Sequence, residues 1–187
     1  METQQNICPW WLGYAFINPL RKYQHNPNKI LTPFVKPGMT VLDYGCAMGY
    51  FSLHMARMVG NKGIVHCVDI QDKMLNNLER RAHKKGYSDI VNSMLVGKNY
   101  EPQKLKNQID FVLLFAVVHE VPDQQKLFNE IYTMLKPGGK VLFAEPPGHV
   151  KPGAFEISAA KAFHAGLTIS DEKPALKKLA VILTKQA

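Results

Sequence analysis

The sequence predicts an α/β fold: a doubly wound, mostly parallel seven-stranded sheet with an antiparallel C-terminal hairpin. Two observations predict it. Strand-type and helix-type apolar periods alternate from about residue 40 onward, as in chains that cover a parallel sheet on both faces. The last two apolar runs are then separated by only Asp171–Lys178, too few residues for the dozen or more of a parallel crossover.

Thr40-Val41-Leu42-Asp43-Tyr44 reads as a strand ending at Gly45, followed by a helical pattern of Phe51, Met55, Met58 and Val59 stopped by Gly60. Gly63–Val68 is the second strand, closed by Asp69. Asp72 is placed to cap a helix carrying Met74, Leu75, Leu78 and Ala82 and ended by Gly86. Ile90–Val96 is the third strand, and the β-rich run Ile109–Val118 suits a central strand covered on both faces. Pro122 fits the first turn of a helix bearing Leu127, Phe128, Ile131, Met134 and Leu135, which must stop before Pro137. Lys140–Ala144 is the fifth strand; a helix at Ala154–His164 and strands at Leu167–Ser170 and Leu179–Thr184 complete the chain. Lys-Pro-Gly recurs at 36, 136 and 151 as turn punctuation, because its flanks differ.

The 187 residues are 46% hydrophobic and 20% charged, the composition of one globular domain and not of a disordered chain. The longest unbroken apolar run is the eight residues Phe111–Val118, against roughly 20 for a membrane span. Met1–Asn6 is polar, with no signal-peptide pattern. Cys8, Cys46 and Cys67 fit neither a disulfide framework nor a zinc site. A cytoplasmic, membrane-free protein is expected, as a monomer or homodimer. The net charge of +8 admits RNA or another acidic partner. Much of it lies in Arg80–Lys85 and Lys173–Lys185, and such runs are commonly solvated faces.

The most informative segment is Val41-Leu42-Asp43-Tyr44-Gly45-Cys46-Ala47-Met48-Gly49-Tyr50-Phe51, a strand running through a small-residue turn into a helix. Gly45 and Gly49 let a ligand approach the backbone, and the helix start offers unpaired N–H groups. Twenty residues beyond Gly49, Asp69 ends the next strand, where a carboxylate can accept both hydroxyls of a ribose. Strand, turn, helix, strand and acid together describe a nucleoside site. Gly45, Ala47 and Tyr50 occupy the G-x-G-x-x-G register, so the dinucleotide fingerprint fails at two of three positions, and no phosphate loop is present.

Asp43-Tyr44-Gly45-Cys46-Ala47-Met48-Gly49 resembles motif I of the class I S-adenosyl-L-methionine (SAM)-dependent methyltransferases. Asp69 resembles the family's acidic ribose clamp, and Met134-Leu135-Lys136-Pro137-Gly138-Gly139-Lys140-Val141-Leu142 its turn into the fifth strand. The terminal hairpin is similar to its sixth and seventh strands, and the similarity runs from about Lys36 to the C-terminus. The resemblance implies a Rossmann-like methyltransferase fold and SAM as cofactor, released as S-adenosyl-L-homocysteine. It implies a cofactor site of Asp43, Gly45, Cys46, Ala47, Gly49, Asp69, Ile70, Gly97, Asn99 and Phe115. Asp43 and the turn would face the methionine part, Asp69 the ribose and Ile70 the adenine. Where the family often has Gly-Asp after the third strand, this chain has Gly97-Lys98-Asn99, so the adenine amino group would meet the Asn99 amide oxygen. Cys46 reads as a small packing residue and not a nucleophile.

His119 and Glu120 fall at the carboxyl end of the fourth strand, where the transferred methyl should point. His119 is placed either to take a proton from the acceptor or to hydrogen-bond a backbone carbonyl. Glu120 is either an acceptor contact or a helix-start acid. Glu145 follows the fifth strand and is assigned to the acceptor pocket. It is the one candidate third metal ligand, and the clustered acids of metal-dependent members are missing, so no metal is expected. The N-terminal stretch Cys8–Phe16 holds Trp10, Trp11 and Tyr14. These aromatics would either close over the acceptor as a lid or pack as an amphipathic helix. Residues 1–35 are accordingly read as a lid segment and 36–187 as the SAM-binding domain. The Asn/Asp-Pro-Pro-Tyr motif of amino-directed nucleic-acid methyltransferases is absent after the fourth strand, as is a Pro-Cys nucleophile.

The expectation is methyl transfer from SAM to a small-molecule acceptor. The alternatives are an RNA or protein methyltransferase, which +8 favours, and a SAM-binding regulator without catalysis.

Overall fold

The computed structural model describes residues 25–176 and 179–187. It contains a seven-stranded sheet: β1 (Thr40–Tyr44), β2 (Ile64–Asp69), β3 (Val91–Leu95), β4 (Ile109–Phe115), β5 (Leu135–Ala144), β6 (Leu167–Ile169) and β7 (Ala180–Lys185). The spatial order is β3-β2-β1-β4-β5-β7-β6. The first five strands are parallel, while β7 runs antiparallel to both β5 and β6. The short link after β6 therefore makes the antiparallel hairpin that its length dictates, and β6 takes the sheet edge.

Among the described residues five helices cover the sheet: α1 (Pro27–Leu31), α2 (Ser52–Val59), α3 (Asp72–Lys84), α4 (Gln124–Met134) and α5 (Pro152–His164). The core lies in two layers. Ile30 and Leu31 of α1, Leu53, Met55 and Val59 of α2, and Leu75 and Leu78 of α3 pack against Val41, Val65 and Phe111 on one face, with Phe34 and Val35. Leu127, Phe128, Ile131 and Met134 of α4 pack against Leu42, Val112 and Leu114 on the other. Each such buried side chain contributes about 1.5–3 kcal/mol of transfer free energy. The central strands thus read as apolar runs because both faces are covered. Among the described residues no helix is long and apolar enough to cross a membrane.

Four local expectations change, the first being that Pro122 precedes Asp123, the cap of α4, and stands outside its first turn. Asp72 is the first residue of α3 and not its cap; Gln71 occupies the cap position without a side-chain bond. The Asp72 carboxylate instead turns along the helix and accepts Asn76 Nδ2 at 2.6 Å. β4 ends at Phe115 and not at Val118, because Ala116 takes φ +58 and leaves the sheet after donating its N–H to Ala144 O. Leu135 starts β5 instead of ending α4: its ψ of 137 is extended, and it pairs with Ile109. Pro137-Gly138-Gly139 is then absorbed as a register irregularity before Lys140 meets Phe111.

The strand order reverses between β1 and β4. The crevice beyond their carboxyl ends is where ligands of open α/β sheets bind, and residues 45–49, 69–71 and 116–120 surround it.

Candidate functional site: the crevice between β1 and β4

The turn after β1 is held at its root by β2: the N–H groups of Gly45 and Cys46 both donate to Val68 O, at 2.8 and 3.1 Å. Gly45, Ala47 and Gly49 have φ of +74, +47 and +79. Left-handed backbone at alternate positions coils the turn tightly. A Cβ at residue 45 would collide with the Val117 side chain, and one at 49 with the end of Leu78. Gly45 is required on both counts. Ala47 has no such freedom, so its small side chain sits in a conformation that favours glycine.

Asp69 is 9% exposed, and its carboxylate closes onto the turn. Oδ2 accepts the N–H of Ala47 at 2.9 Å and Oδ1 that of Gln71 at 2.9 Å. Burial pushes its pKa up, against the backbone N–H groups of Gln71, Ala47 and Ile70. Ile70, beside it, is 48% exposed, and Gly97 has open space where a Cβ would stand. Asp43 lies deeper, its Oδ2 accepting the Ser52 hydroxyl at 2.5 Å. Cys46 is buried, and burial with the neighbouring Cys67 raises its thiol pKa well above the ordinary value; such a thiol is a poor nucleophile. The Phe115 ring leans on Phe51, with centroids 4.7 Å apart.

Asn99 folds back onto the end of β3, with one lone pair of its amide oxygen in use. Oδ1 accepts the N–H of Leu95 at 2.6 Å, and Nδ2 points to Ser93 O at 3.4 Å. Trp10, Trp11 and Tyr14 lie outside the described residues.

On the other wall, one 3-10 turn (Val118–Glu120) presents His119 and Glu120. The Gln124 amide holds it, Nε2 donating to Val118 O at 3.0 Å while Oε1 accepts from Ser158 and Lys161 of α5. Glu145, one residue beyond β5, meets His119 twice: Oε1 accepts the backbone N–H at 3.1 Å and Oε2 lies 2.7 Å from Nδ1. Glu120 Oε1 stands 3.9 Å from His119 Nε2. The hydrogen bond to Glu145 raises the His119 pKa, burial opposes it, and the charges of Glu145 and Glu120 add to the rise. Burial chiefly raises Glu120, with His119 opposing and the charges of Asp69 and Glu145 adding to it. No cluster of three His, Cys, Asp or Glu able to hold a metal occurs among the described residues.

Sequence reasoning missed two supports. Arg81 donates its guanidinium to the carbonyl of Met48, inside the glycine turn; its spacing of three from buried Leu78 was the available signal. Tyr44 packs edge-on against Tyr100, with centroids 5.9 Å apart. Burial, with the charges of Glu130 and Asp69, pushes its pKa up to about 12.

Comparison with known proteins bears on this geometry. Residues 35–179 match the family model described as a methyltransferase domain. Phosphoethanolamine N-methyltransferase 2 of Caenorhabditis elegans is 36% identical over 143 residues, covering 75% of this chain and 31% of that enzyme. The ubiquinone/menaquinone biosynthesis C-methyltransferase UbiE of Shewanella sediminis is 31% identical over 129 residues, covering 67% of this chain and 51% of that enzyme. The chain thus spans about a third to about half of the length of these relatives. A SAM-dependent methyltransferase from Aquifex aeolicus shares the fold, with a TM-score of 0.81 at 24% identity over 95% of this chain and 97% of that one. The Haemonchus contortus phosphoethanolamine methyltransferase 2, solved with phosphomonomethylethanolamine and S-adenosylhomocysteine, superposes with a TM-score of 0.59. It is 26% identical over 76% of this chain and 36% of that one. The left-handed turn after β1, the acid closing on it from β2 and the antiparallel β7 are accounted for together: the chain belongs to the class I SAM-dependent methyltransferases.

Proposed function

We propose that the protein transfers a methyl group from SAM to a small-molecule acceptor bound between the glycine turn and His119. The observation that carries the reading is the juxtaposition at the β1/β4 crevice of a nucleoside-type wall, Gly45–Gly49 with Asp69, and a base-type wall, His119 with Glu120. The donor set fits the cofactor. The Asp69 carboxylate faces the backbone N–H groups of Ala47, Gln71 and Ile70, and its roughly four acceptor sites leave capacity for a ribose hydroxyl. Ile70 offers exposed apolar area beside it for a flat base, and Gly97 leaves room. SAM supplies an electrophilic methyl on a sulfonium, whose leaving group is neutral.

The chain's own residues then have two tasks. The turn and Asp69 hold the cofactor in register with the acceptor, which lowers the entropic barrier. His119 Nε2 takes the proton from an O–H or N–H acceptor. Small-molecule acceptors are also named in relatives: phosphoethanolamine for the nematode enzymes, ubiquinone/menaquinone biosynthesis for UbiE.

The test is thermal unfolding with S-adenosylhomocysteine, NAD and ATP in parallel, followed by radiolabelled methyl transfer to a panel of amines, phenols and quinols. At about 100 times Kd the right ligand stabilises by about 2.7 kcal/mol, roughly 5–10 °C at this size. A shift with S-adenosylhomocysteine alone, and label in a small acceptor, is expected. A shift with NAD, or label only in RNA or protein, would overturn the reading.

A further inference from the structure

The Glu145 carboxylate is more enclosed than that of Glu120, the other acid beside His119. Its side chain is 2% exposed, against 32% for Glu120. Both of its oxygens are engaged by one residue, the backbone N–H and the ring Nδ1 of His119. An ionised carboxylate only accepts, so Nδ1 carries the proton and Nε2 keeps its lone pair. We propose that Glu145 is a positioning residue: it fixes His119 in the Nδ1–H tautomer with Nε2 open to the acceptor, instead of touching the acceptor itself. The proposal rests on His119 being the base.

The two contacts make a rigid unit. The imidazole cannot turn about its ring axis without losing the 2.7 Å bond, and the turn that carries it cannot lift without losing the 3.1 Å bond. Glu145 is itself anchored, its N–H donating to Leu179 O at 2.9 Å. Among the described residues the titratable groups facing the imidazole are Glu145 from beyond β5 and Glu120 from its own turn; Asp69, from β2, acts on Glu120. When the acceptor's proton moves to Nε2, its bonding pair stays on the acceptor atom. The imidazolium formed lies between two carboxylates, and the proton later passes to water. The same arrangement explains the raised His119 pKa, since a hydrogen bond to the charged form favours it.

The test uses Glu145→Gln, which keeps the volume and one acceptor oxygen, and Glu145→Asp, which keeps the charge. The first readout needs no turnover: ring nitrogen NMR of His119 in the S-adenosylhomocysteine-bound protein. The wild type is expected as the Nδ1–H tautomer, titrating above 6.5. In the Gln variant the Nε2–H tautomer should appear and the pKa fall. The acid limb of kcat/KM should move to lower pH with it. There kcat should drop about 100-fold while the acceptor KM stays within about twofold, and Glu145→Asp should recover part of both. An unchanged tautomer and pKa in Glu145→Gln, or a raised KM at unchanged kcat, would overturn the assignment. Failure of every acceptor would remove the proposed function instead, and the NMR result would still decide the role of Glu145.

Discussion

The Asp69 carboxylate and the Ala47 N–H meet at 2.9 Å, so the acid that ends β2 and the turn that follows β1 form a single unit. The second oxygen holds the N–H of Gln71, which fixes the carboxylate against its own strand end. Burial disfavours the charge at Asp69, and removing it offsets part of the lost acceptor capacity. Asp69→Asn should therefore change the stability of the ligand-free protein by no more than about 1 kcal/mol. The same variant should lose most of the S-adenosylhomocysteine-dependent shift in unfolding midpoint. An undiminished shift would take Asp69 out of the cofactor site.

Ala47 sits at φ +47, a region that costs an L-residue about 1–2 kcal/mol. Glycine there is free of that strain but gives the unfolded chain more freedom. Ala47→Gly should gain about 0.5–1 kcal/mol, read as a midpoint 1–4 °C higher. A lower midpoint would show that the alanine methyl makes packing contacts outweighing the strain.

His66 is a pH liability unrelated to the crevice. It is 6% exposed, with Nδ1 3.2 Å from Asn92 Nδ2, and burial pushes its pKa down to about 4. The unfolded chain takes up a proton near pH 6.5 and the folded protein only near 4, so acid favours unfolding between those values. The stability of neutral His66 is fully present above about 6.5 and is lost as pH falls to about 4, by about 3 kcal/mol. Denaturant titrations at pH 7 and pH 4.5 should show a smaller acid loss for His66→Gln than for the wild type. Equal losses would mean that other groups account for the acid sensitivity.

Lys185 stitches the last strand to the end of α4. Its Nζ donates to Tyr132 O at 3.0 Å, Leu135 O at 2.9 Å and Asn107 Oδ1 at 2.9 Å, and lies 4.6 Å from the Tyr132 ring centre. Lys185→Met keeps the apolar stem and deletes the donors. The site is partly open to water, so the expected loss is about 1–2 kcal/mol, seen as a lower denaturation midpoint. No measurable change would mean that water satisfies both carbonyls.

Strand placement was legible because β1 and β2 are short apolar runs closed by Gly45 and Asp69, and because burial of β1, β2 and β4 on both faces leaves them little alternative. The exit of β4 and the start of β5 were not. Ala116 continues the apolar run in composition, yet turns to φ +58, and hydropathy carries no sign of φ. Leu135 has helical spacing but belongs to β5, because its pairing with Ile109 outweighs local periodicity. In the site, Gly45 and Asp69 could be found from their spacing. The union of His119 and Glu145 could not, since 26 residues separate them. It follows only once Phe115 is known to pair with Ala144, which brings the two strand exits together.

Arg81 has a further consequence for the surface. One guanidinium of the run Arg80–Lys85 is turned inward to the Met48 carbonyl, and Ala82 beside it is buried. The run therefore offers a nucleic-acid backbone an interrupted row of cations. Fewer condensed counterions would be released on contact, so any RNA association should have a shallower salt dependence than the formal charge of +8 implies.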